Sequence, residues 1–305
     1  MTEYPTEIPS VEPAHDEAYY KALYDEYKVT PMVLTADDIT KMVPALGKHP
    51  KLLAKLLKWF DIDDVNRIHS TYCDTPGPEF VRRILFDGFH NRLRVDNVEE
   101  LQNLPEGAFI TVSNHPLGAL DGIALIYLVT RFRPKFRVMV NLILNRISAM
   151  RPNFIDVDAW ASDNPERKKV SLLGIRAVLR QLKEGEPVGF FPAGAMSKTD
   201  WRWRYKDREW QKSVLEIIYR AKVPVVPIYF HDRNSWVCDI LGHLFWQGRS
   251  LLLPRQVFRK NGKELHISVG ETISVEEQLA HGNNPQELGA YLRAKTYELR
   301  DKYKK

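Results

Sequence analysis

The apolar residues of this chain change rhythm near residue 95. From Thr35 to about Arg94 they recur at helical spacing. Thr35 and Asp38 open that region in the spacing of a capping box, with Asp where Glu is usual. Within it, Leu46–Phe60 sets Leu52, Leu53, Leu56, Leu57 and Phe60 on one face and Lys51, Lys55 and Lys58 on the other, as an amphipathic helix does. Pro76-Gly77-Pro78 interrupts, and a further helix is expected over Glu79–Arg92. Beyond it, short β-type runs alternate with helical ones. Strands are predicted at Arg92–Val95, Ala108–Val112, Arg137–Val140, Val188–Phe191, Val225–Phe230 and Glu264–Val269. Helices are predicted between them at Asp121–Arg131, Arg167–Leu182 and Trp210–Arg220. This alternation predicts an α/β fold, a central mixed sheet flanked by helices, with an N-terminal helical region. Residues 1–95 are expected to hold an arm and that helical region, and residues 96–305 the α/β domain. The arm, 1–18, carries three prolines and many acids and reads as poorly ordered.

Composition narrows the function classes. The 305 residues suit one large domain with an appendage, or two small domains. No apolar run approaches the ~18 residues of a membrane-crossing helix. The first twenty residues hold five acids and no Lys or Arg, unlike a secretory signal, so a cytosolic or cytosol-facing protein is expected. Cys73 and Cys238 are far apart and form no CxxC, and the nine histidines form no HExxH or HxxxH pair. Neither a disulfide framework nor a metal site is expected. The net charge of +5 is uneven: residues 1–40 hold nine acids against two lysines, which leaves +12 on the rest. A basic body favours an anionic partner, whether a membrane surface, nucleic acid or an acidic carrier protein.

The candidate chemistry gathers in Ser113-Asn114-His115-Pro116-Leu117-Gly118-Ala119-Leu120-Asp121-Gly122, a turn between a predicted strand and a predicted helix. A histidine there can act as a general base near neutral pH, with a carboxylate to fix its tautomer. From the pair alone two readings stand: a His115/Asp121 dyad, or His115 in a turn and Asp121 capping the next helix. Two more stretches follow in order. Val188–Phe191 runs into Pro192-Ala193-Gly194-Ala195-Met196-Ser197-Lys198, and Val223-Pro224-Val225-Val226-Pro227 is a strand framed by prolines.

Taken together, Asn114-His115…Asp121, the region Asn141–Asp156, Phe191-Pro192-Ala193-Gly194 and Val223–Pro227 resemble the four ordered blocks of the glycerolipid (lysophosphatidic acid) acyltransferase family. The resemblance covers roughly residues 90–275. It looks closest to a bacterial haemolysin-like branch that includes ornithine-lipid and glycine-lipid O-acyltransferases. That branch shares the Asn-His-Pro-x-Gly-x-Leu-Asp-Gly form, the Asp207-Arg208-Glu209-Trp210 stretch and the Asn234-Ser235 pair. The resemblance implies that His115 deprotonates an acceptor hydroxyl, that Asp121 orients His115, and that turn N–H groups hold the oxyanion. It also implies substrate contacts at Asn114, Gly118, Asn141, Pro192, Gly194, Ser197 and Lys198. No metal or prosthetic group is implied, and acyl carrier protein or coenzyme A would bring the acyl thioester. The sequence departs from the common third block, with Ala193 for its acid and Ala195 for its hydroxyl. Ser197 and Lys198 are then the residues left to meet an anionic head group. The departures favour a lyso-glycine or lyso-ornithine lipid over glycerol phosphate as acceptor. The alternatives are a 1-acylglycerol-3-phosphate acyltransferase and a non-catalytic membrane- or lipid-binding protein.

Two stretches bear on location. Trp201-Arg202-Trp203-Arg204-Tyr205-Lys206 alternates strictly, so as a strand it separates aromatic and basic faces. It suits an ordinary strand with a buried aromatic face or a membrane interface. It suits nucleic acid least, for want of any accompanying binding motif. The Leu46–Phe60 helix fits either packing on the catalytic domain or lying in a membrane surface. The expected setting is peripheral, at the cytoplasmic face of the inner membrane.

Overall fold

The computed structural model describes residues 8–11, 15–157, 165–199, 205–234 and 253–303. The helical region comprises α1 (Glu17–Glu26), α2 (Ala36–Met42), α3 (Pro44–Gly47), α4 (Pro50–Trp59), α5 (Ile62–Tyr72) and α6 (Pro78–Arg83), continued by a π-helical turn over Ile84–Gly88. The capping box of α2 is formed: Thr35 Oγ1 accepts from Asp38 N, and Asp38 Oδ2 accepts from Thr35 N. Two helix expectations are corrected. Leu46–Phe60 is broken into α3 and α4, because Pro50 has no N–H and disfavours helical geometry at His49. The helix expected to reach Arg92 stops at Gly88, and Arg92 opens a strand.

Nine strands follow among the described residues: β1 (Arg92–Asp96), β2 (Ile110–Ser113), β3 (Arg137–Asn141), β4 (Phe154–Val157), β5 (Val188–Phe190), β6 (Lys198–Thr199), β7 (Tyr205–Lys206), β8 (Val225–Phe230) and β9 (Glu264–Val269). Seven form one sheet in the order β1-β9-β8-β2-β5-β3-β4. It is mixed, as expected: β8 and β9 run antiparallel and every other adjacent pair is parallel. The edge strand β4 was not anticipated. Of the Trp201–Lys206 stretch, residues 201–204 lie outside the described residues, and Tyr205–Lys206 pairs with Lys198–Thr199.

The remaining helices are α7 (Glu99–Gln102), α8 (Leu120–Thr130), α9 (Pro165–Lys183), α10 (Lys212–Ala221), α11 (Leu253–Arg259), α12 (Val275–His281) and α13 (Pro285–Lys302). They cover the sheet in two layers. Val226, Ile228 and Phe230 of β8 pack into the core that holds α8, while Val225 joins the opposite core with Val178 of α9, Val214 of α10 and Leu292 of α13. That division is the period-two alternation of a strand. Pro227 is tolerated in this central strand because β9 has ended beside it: its carbonyl accepts from Gly270 N, just past Val269. α8 is apolar on every side and buried along Leu120–Thr130 except Gly122, as a helix between layers must be. Each fully buried Leu or Ile there contributes about 1.5–3 kcal/mol.

The N-terminal region shares this core. Phe80, Val81 and Leu85 pack in one cluster with α8 and β9. The described part of the arm is docked as well. Ile8 is buried and its N–H donates to Tyr127 Oη at 2.8 Å, and Val11 N donates to Arg131 O at 2.8 Å. These contacts correct the expectation of a poorly ordered arm for residues 8–11 and 15–18, since α1 begins at Glu17.

Candidate active site

The turn between β2 and α8 is held in place by its own side chains. Asn114 directly follows the strand, and both ends of its amide are tied to the Phe230 main chain: Nδ2 donates to Phe230 O at 2.8 Å and Oδ1 accepts from Phe230 N at 2.7 Å. Gly118 takes φ +85°, a left-handed conformation that glycine adopts at no steric cost. The chain thereby reverses, and Asp121 enters in the first turn of α8. Its carboxylate is fully buried. Oδ2 accepts from Leu117 N at 2.9 Å and Gly118 N at 3.1 Å, and Oδ1 from Gly122 N at 2.9 Å. His115 Nδ1 lies 3.1 Å from Asp121 Oδ2. The pair is thus within hydrogen-bond distance, and the ring of Phe191 lies against the imidazole at 4.2 Å between centroids.

A second group of side chains grips the turn from outside. Asp207 Oδ1 accepts from His115 N at 3.1 Å and from the Ser197 hydroxyl, and Ser197 N donates to His115 O at 2.8 Å. Tyr205 Oη donates to Pro116 O at 2.7 Å, and Asn234 Nδ2 to Pro116 O at 3.1 Å. Asp207 is buried, and burial pushes its carboxyl above the ordinary value despite the Ser197 and His115 donors. The sequence reading assigned no role to Asp207, Tyr205 or Asn234. Asp207 and Asn234 did stand out there, as parts of the Asp-x-Glu-Trp and Asn-Ser stretches.

His115 opens onto a cavity of about 480 Å³, within the range of small-molecule sites. Its walls come from α8 (Ile123, Ile126), β3 (Val138, Val140) and the helices beyond (Ile175, Val214, Ile217), with Phe190 and Phe191 at the end of β5. The polar side chains on the wall are His115, Asn141, Ser171, Gln211 and Ser213, and no Lys, Arg, Asp or Glu lines it among the described residues.

Of the residues singled out in the sequence, His115, Gly118, Asn141 and Gly194 meet on this cavity, with Asp121 directly behind His115. Asn114, Pro192, Ser197 and Lys198 are not on its wall. Asn114 is spent on Phe230, and Ser197 is buried with its hydroxyl on Asp207. Lys198 is exposed and opposite Lys206 in the small β6–β7 ribbon. Ser197 and Lys198 therefore lie apart from the cavity that His115 faces. Of the turn N–H groups expected to hold an oxyanion, those of His115, Leu117 and Gly118 donate to Asp207 and Asp121.

A family model described as acyltransferase matches residues 38–304. The chain belongs to the acyltransferase family. His115, Asp121 and every residue of the cavity wall fall inside the matched span of this acyltransferase. It is similar to a protein of Bacteroides thetaiotaomicron named lyso-glycine lipid O-acyltransferase, 26% identical over 260 residues, which is 82% of this chain and 90% of that one. A protein of Phocaeicola vulgatus with the same name is 29% identical over 185 residues, 58% of this chain and 63% of its own. Among solved structures, the 1-acyl-sn-glycerophosphate (LPA) acyltransferase PlsC from Thermotoga maritima is similar, with a TM-score of 0.48 at 15% identity over 95% of each chain.

Proposed function

We propose that this acyltransferase esterifies the free hydroxyl of a lyso-amino-acid lipid, a lyso-glycine lipid first, with a fatty acyl group from a thioester. The observation that carries the reading is the His115/Asp121 pair at the head of an apolar cavity. With Nδ1 beside the carboxylate, Nε2 of His115 is the base. It takes the hydroxyl proton as the acceptor oxygen attacks the thioester carbonyl. The new C–O bond forms, the C–S bond breaks, and the imidazolium returns the proton to the departing thiolate. Asp121 stabilises the imidazolium while it exists. A thioester is already activated, so neither a covalent acyl-enzyme nor a prosthetic group is required.

The wall chemistry supports an acyl chain in the cavity and argues against a phosphate there. A phosphate calls for Arg or Lys, and the described wall has neither. The printed names of the two relatives support the glycine-lipid acceptor. Acyl carrier protein or coenzyme A is the donor; an acidic carrier complements the +12 on the chain beyond residue 40. The enzyme works peripherally on the cytoplasmic face of a membrane. Exposed Leu142 and Ile143 lie between the cavity-wall residues Asn141 and Leu144, and exposed Leu172 and Leu173 between Ser171 and Ile175. Apolar side chains beside the cavity suit a lipid surface, as do exposed Leu52 and Trp59 on α4 beside Lys51, Lys55 and Lys58. No described helix is long and apolar enough to cross a membrane.

The test is transfer of labelled acyl groups from carrier-protein and coenzyme A thioesters to a panel of acceptors in mixed micelles. The expected product is the ester of the lyso-glycine lipid, absent with His115→Ala. Faster esterification of lysophosphatidate would overturn the acceptor assignment, and full activity of His115→Ala the mechanism.

A further inference from the structure

The third sequence block lacks the acid and the hydroxyl that its common form carries, at Ala193 and Ala195. The fold brings an acid and a hydroxyl together nearby, aimed elsewhere. Asp207 and Ser197 meet behind the His115 turn rather than on the cavity wall. We propose that Asp207 is a positioning residue for His115: it pins the main chain of the turn and places a second carboxylate behind the imidazole, with Ser197 holding that carboxylate in place. The inference rests on His115 being the base.

The geometry is over-determined for a surface acid. Asp207 and Ser197 are both 2% exposed. Oδ1 takes two donors, His115 N at 3.1 Å and the Ser197 hydroxyl. Ser197 closes a ring by donating its own N–H to His115 O at 2.8 Å. The main chain of His115 is therefore held on both sides by one Asp–Ser unit. The acid is in turn set by α13: Asp207 N donates to Tyr297 Oη at 2.9 Å, and Arg293 Nη2 to Asp207 O at 3.2 Å. Oδ2 is buried with no hydrogen-bond partner among the described residues.

The charge of a carboxylate held out of water acts strongly on its neighbours, because screening is weak where water is excluded. The groups facing this carboxylate are His115 and Ser197 from the two loops, Arg293 and Tyr297 from α13, and Tyr229 from β8. Burial raises the Asp207 carboxyl, and the Ser197 and His115 donors and the His115 and Arg293 charges oppose that rise. Burial likewise pushes Tyr297 up to about 12, so it stays a neutral partner at neutral pH. An ionised Asp207 favours the imidazolium, the form His115 adopts as it takes the acceptor proton.

The experiment follows the His115 ring directly, by titration of isotope-labelled histidines in the full chain, alongside steady-state acyl transfer and thermal melting. Asp207→Asn keeps an acceptor for His115 N and Ser197 but removes the charge. The His115 midpoint should fall by about half a pH unit or more. Turnover should fall roughly tenfold or more, with KM for either substrate within about twofold. Tyr205→Phe removes a neutral bond to the same turn and should leave the midpoint where it is. Ser197→Ala keeps the acid, withdraws its hydroxyl donor and lets the carboxylate protonate at higher pH, so activity should be lost first at the acid end of the profile. If Asp207→Asn does not fold, that acid-end loss decides the matter. A folded Asp207→Asn with an unmoved His115 midpoint overturns the proposal. So does Ser197→Ala with a wild-type profile. A His115 midpoint that moves in Asp207→Asn, when the wild-type protein itself transfers no acyl group, would keep the positioning role and overturn the proposed function instead.

Discussion

Replacing Asp121 by Asn separates the two readings of the turn, a helix-capping acid or half of a dyad. The carboxylate offers two oxygens to three N–H donors and to His115 Nδ1. An amide offers one. With its oxygen toward Leu117, Gly118 and His115, its NH₂ confronts the Gly122 N–H, and one charge-assisted bond of about 1.5–3 kcal/mol is lost. With the amide flipped, two such bonds are lost, and the ring must present a lone pair at Nδ1. That moves the proton to Nε2, the nitrogen that has to be the base. The first orientation is favoured, so the variant should unfold about 1.5–3 kcal/mol more easily, within what a domain with roughly 5–15 kcal/mol tolerates. Its kinetic loss should be far larger. A neutral amide no longer stabilises the imidazolium, and turnover should fall on the order of 10²–10⁴-fold. Urea unfolding gives the first quantity and acyl transfer at saturating thioester the second. A folded Asp121→Asn turning over within about threefold of wild type would leave Asp121 a cap and nothing more.

Three further outcomes follow from particular contacts. Gly118→Ala needs φ +85° from an L residue and sets its Cβ 2.6 Å from both Leu253 Cδ2 and Met196 Sδ, so it should lose about 1–3 kcal/mol by urea unfolding, and an unchanged midpoint would refute the strained turn. Gly122 lines the cavity with nothing nearer its Cβ position than Phe191 Cε2 at 3.9 Å. Gly122→Leu should therefore fold normally and shift the preferred thioester toward shorter chains, and an unaltered chain-length profile would remove the acyl chain from this cavity. Burial and then the neighbouring His266 lower the His231 ring, stacked 3.9 Å from His266, from 6.5 to about 4. The unfolded chain binds the proton that the fold refuses, so this contribution is complete above about pH 6.5 and lost on falling to about 4. With a discount for the ring's partial exposure it amounts to about 1–2 kcal/mol, which His231→Asn should remove from the pH dependence of melting.

What could be read in the sequence was what leaves a local trace. Val225–Phe230 and Glu264–Val269 are strands over the expected spans, because flanking Pro and Gly punctuate runs of β-branched and aromatic residues. Phe154–Val157 left no such trace: four residues between a 3₁₀ turn and residues beyond the described span hold no full alternation, and β4 exists through its pairing with β3. The α3–α4 break was legible in His49-Pro50, but the apolar spacing across it is continuous, and periodicity outweighed the proline. The grip on the turn was the least legible part. His115 and Asp207 are 92 residues apart, Pro116 and Asn234 118 apart, and a side chain that meets a distant main chain imposes no spacing on its neighbours.

The spacing within the turn acquires a definite meaning from this. Five residues separate His115 from Asp121, and on an ideal helix the two would point about 120° apart. Only Leu120 and Asp121 are helical, however, and Gly118 reverses the chain before them. The longer loop delivers two consecutive N–H groups, Leu117 and Gly118, to one carboxylate oxygen. That arrangement fixes Asp121 against His115, and it also consumes the donors that a strand-to-helix turn would otherwise aim at a developing oxyanion. His115 N, the next in line, is held by Asp207. On the proposed mechanism, donors to a developing oxyanion are then to be sought elsewhere on the cavity wall, where Asn141, Gln211, Ser171 and Ser213 are the polar side chains besides His115. Gln211 is the best placed of these beside the third block: a Cβ on Gly194 would fall 2.0 Å from its Nε2, so a glycine at 194 leaves room for that amide.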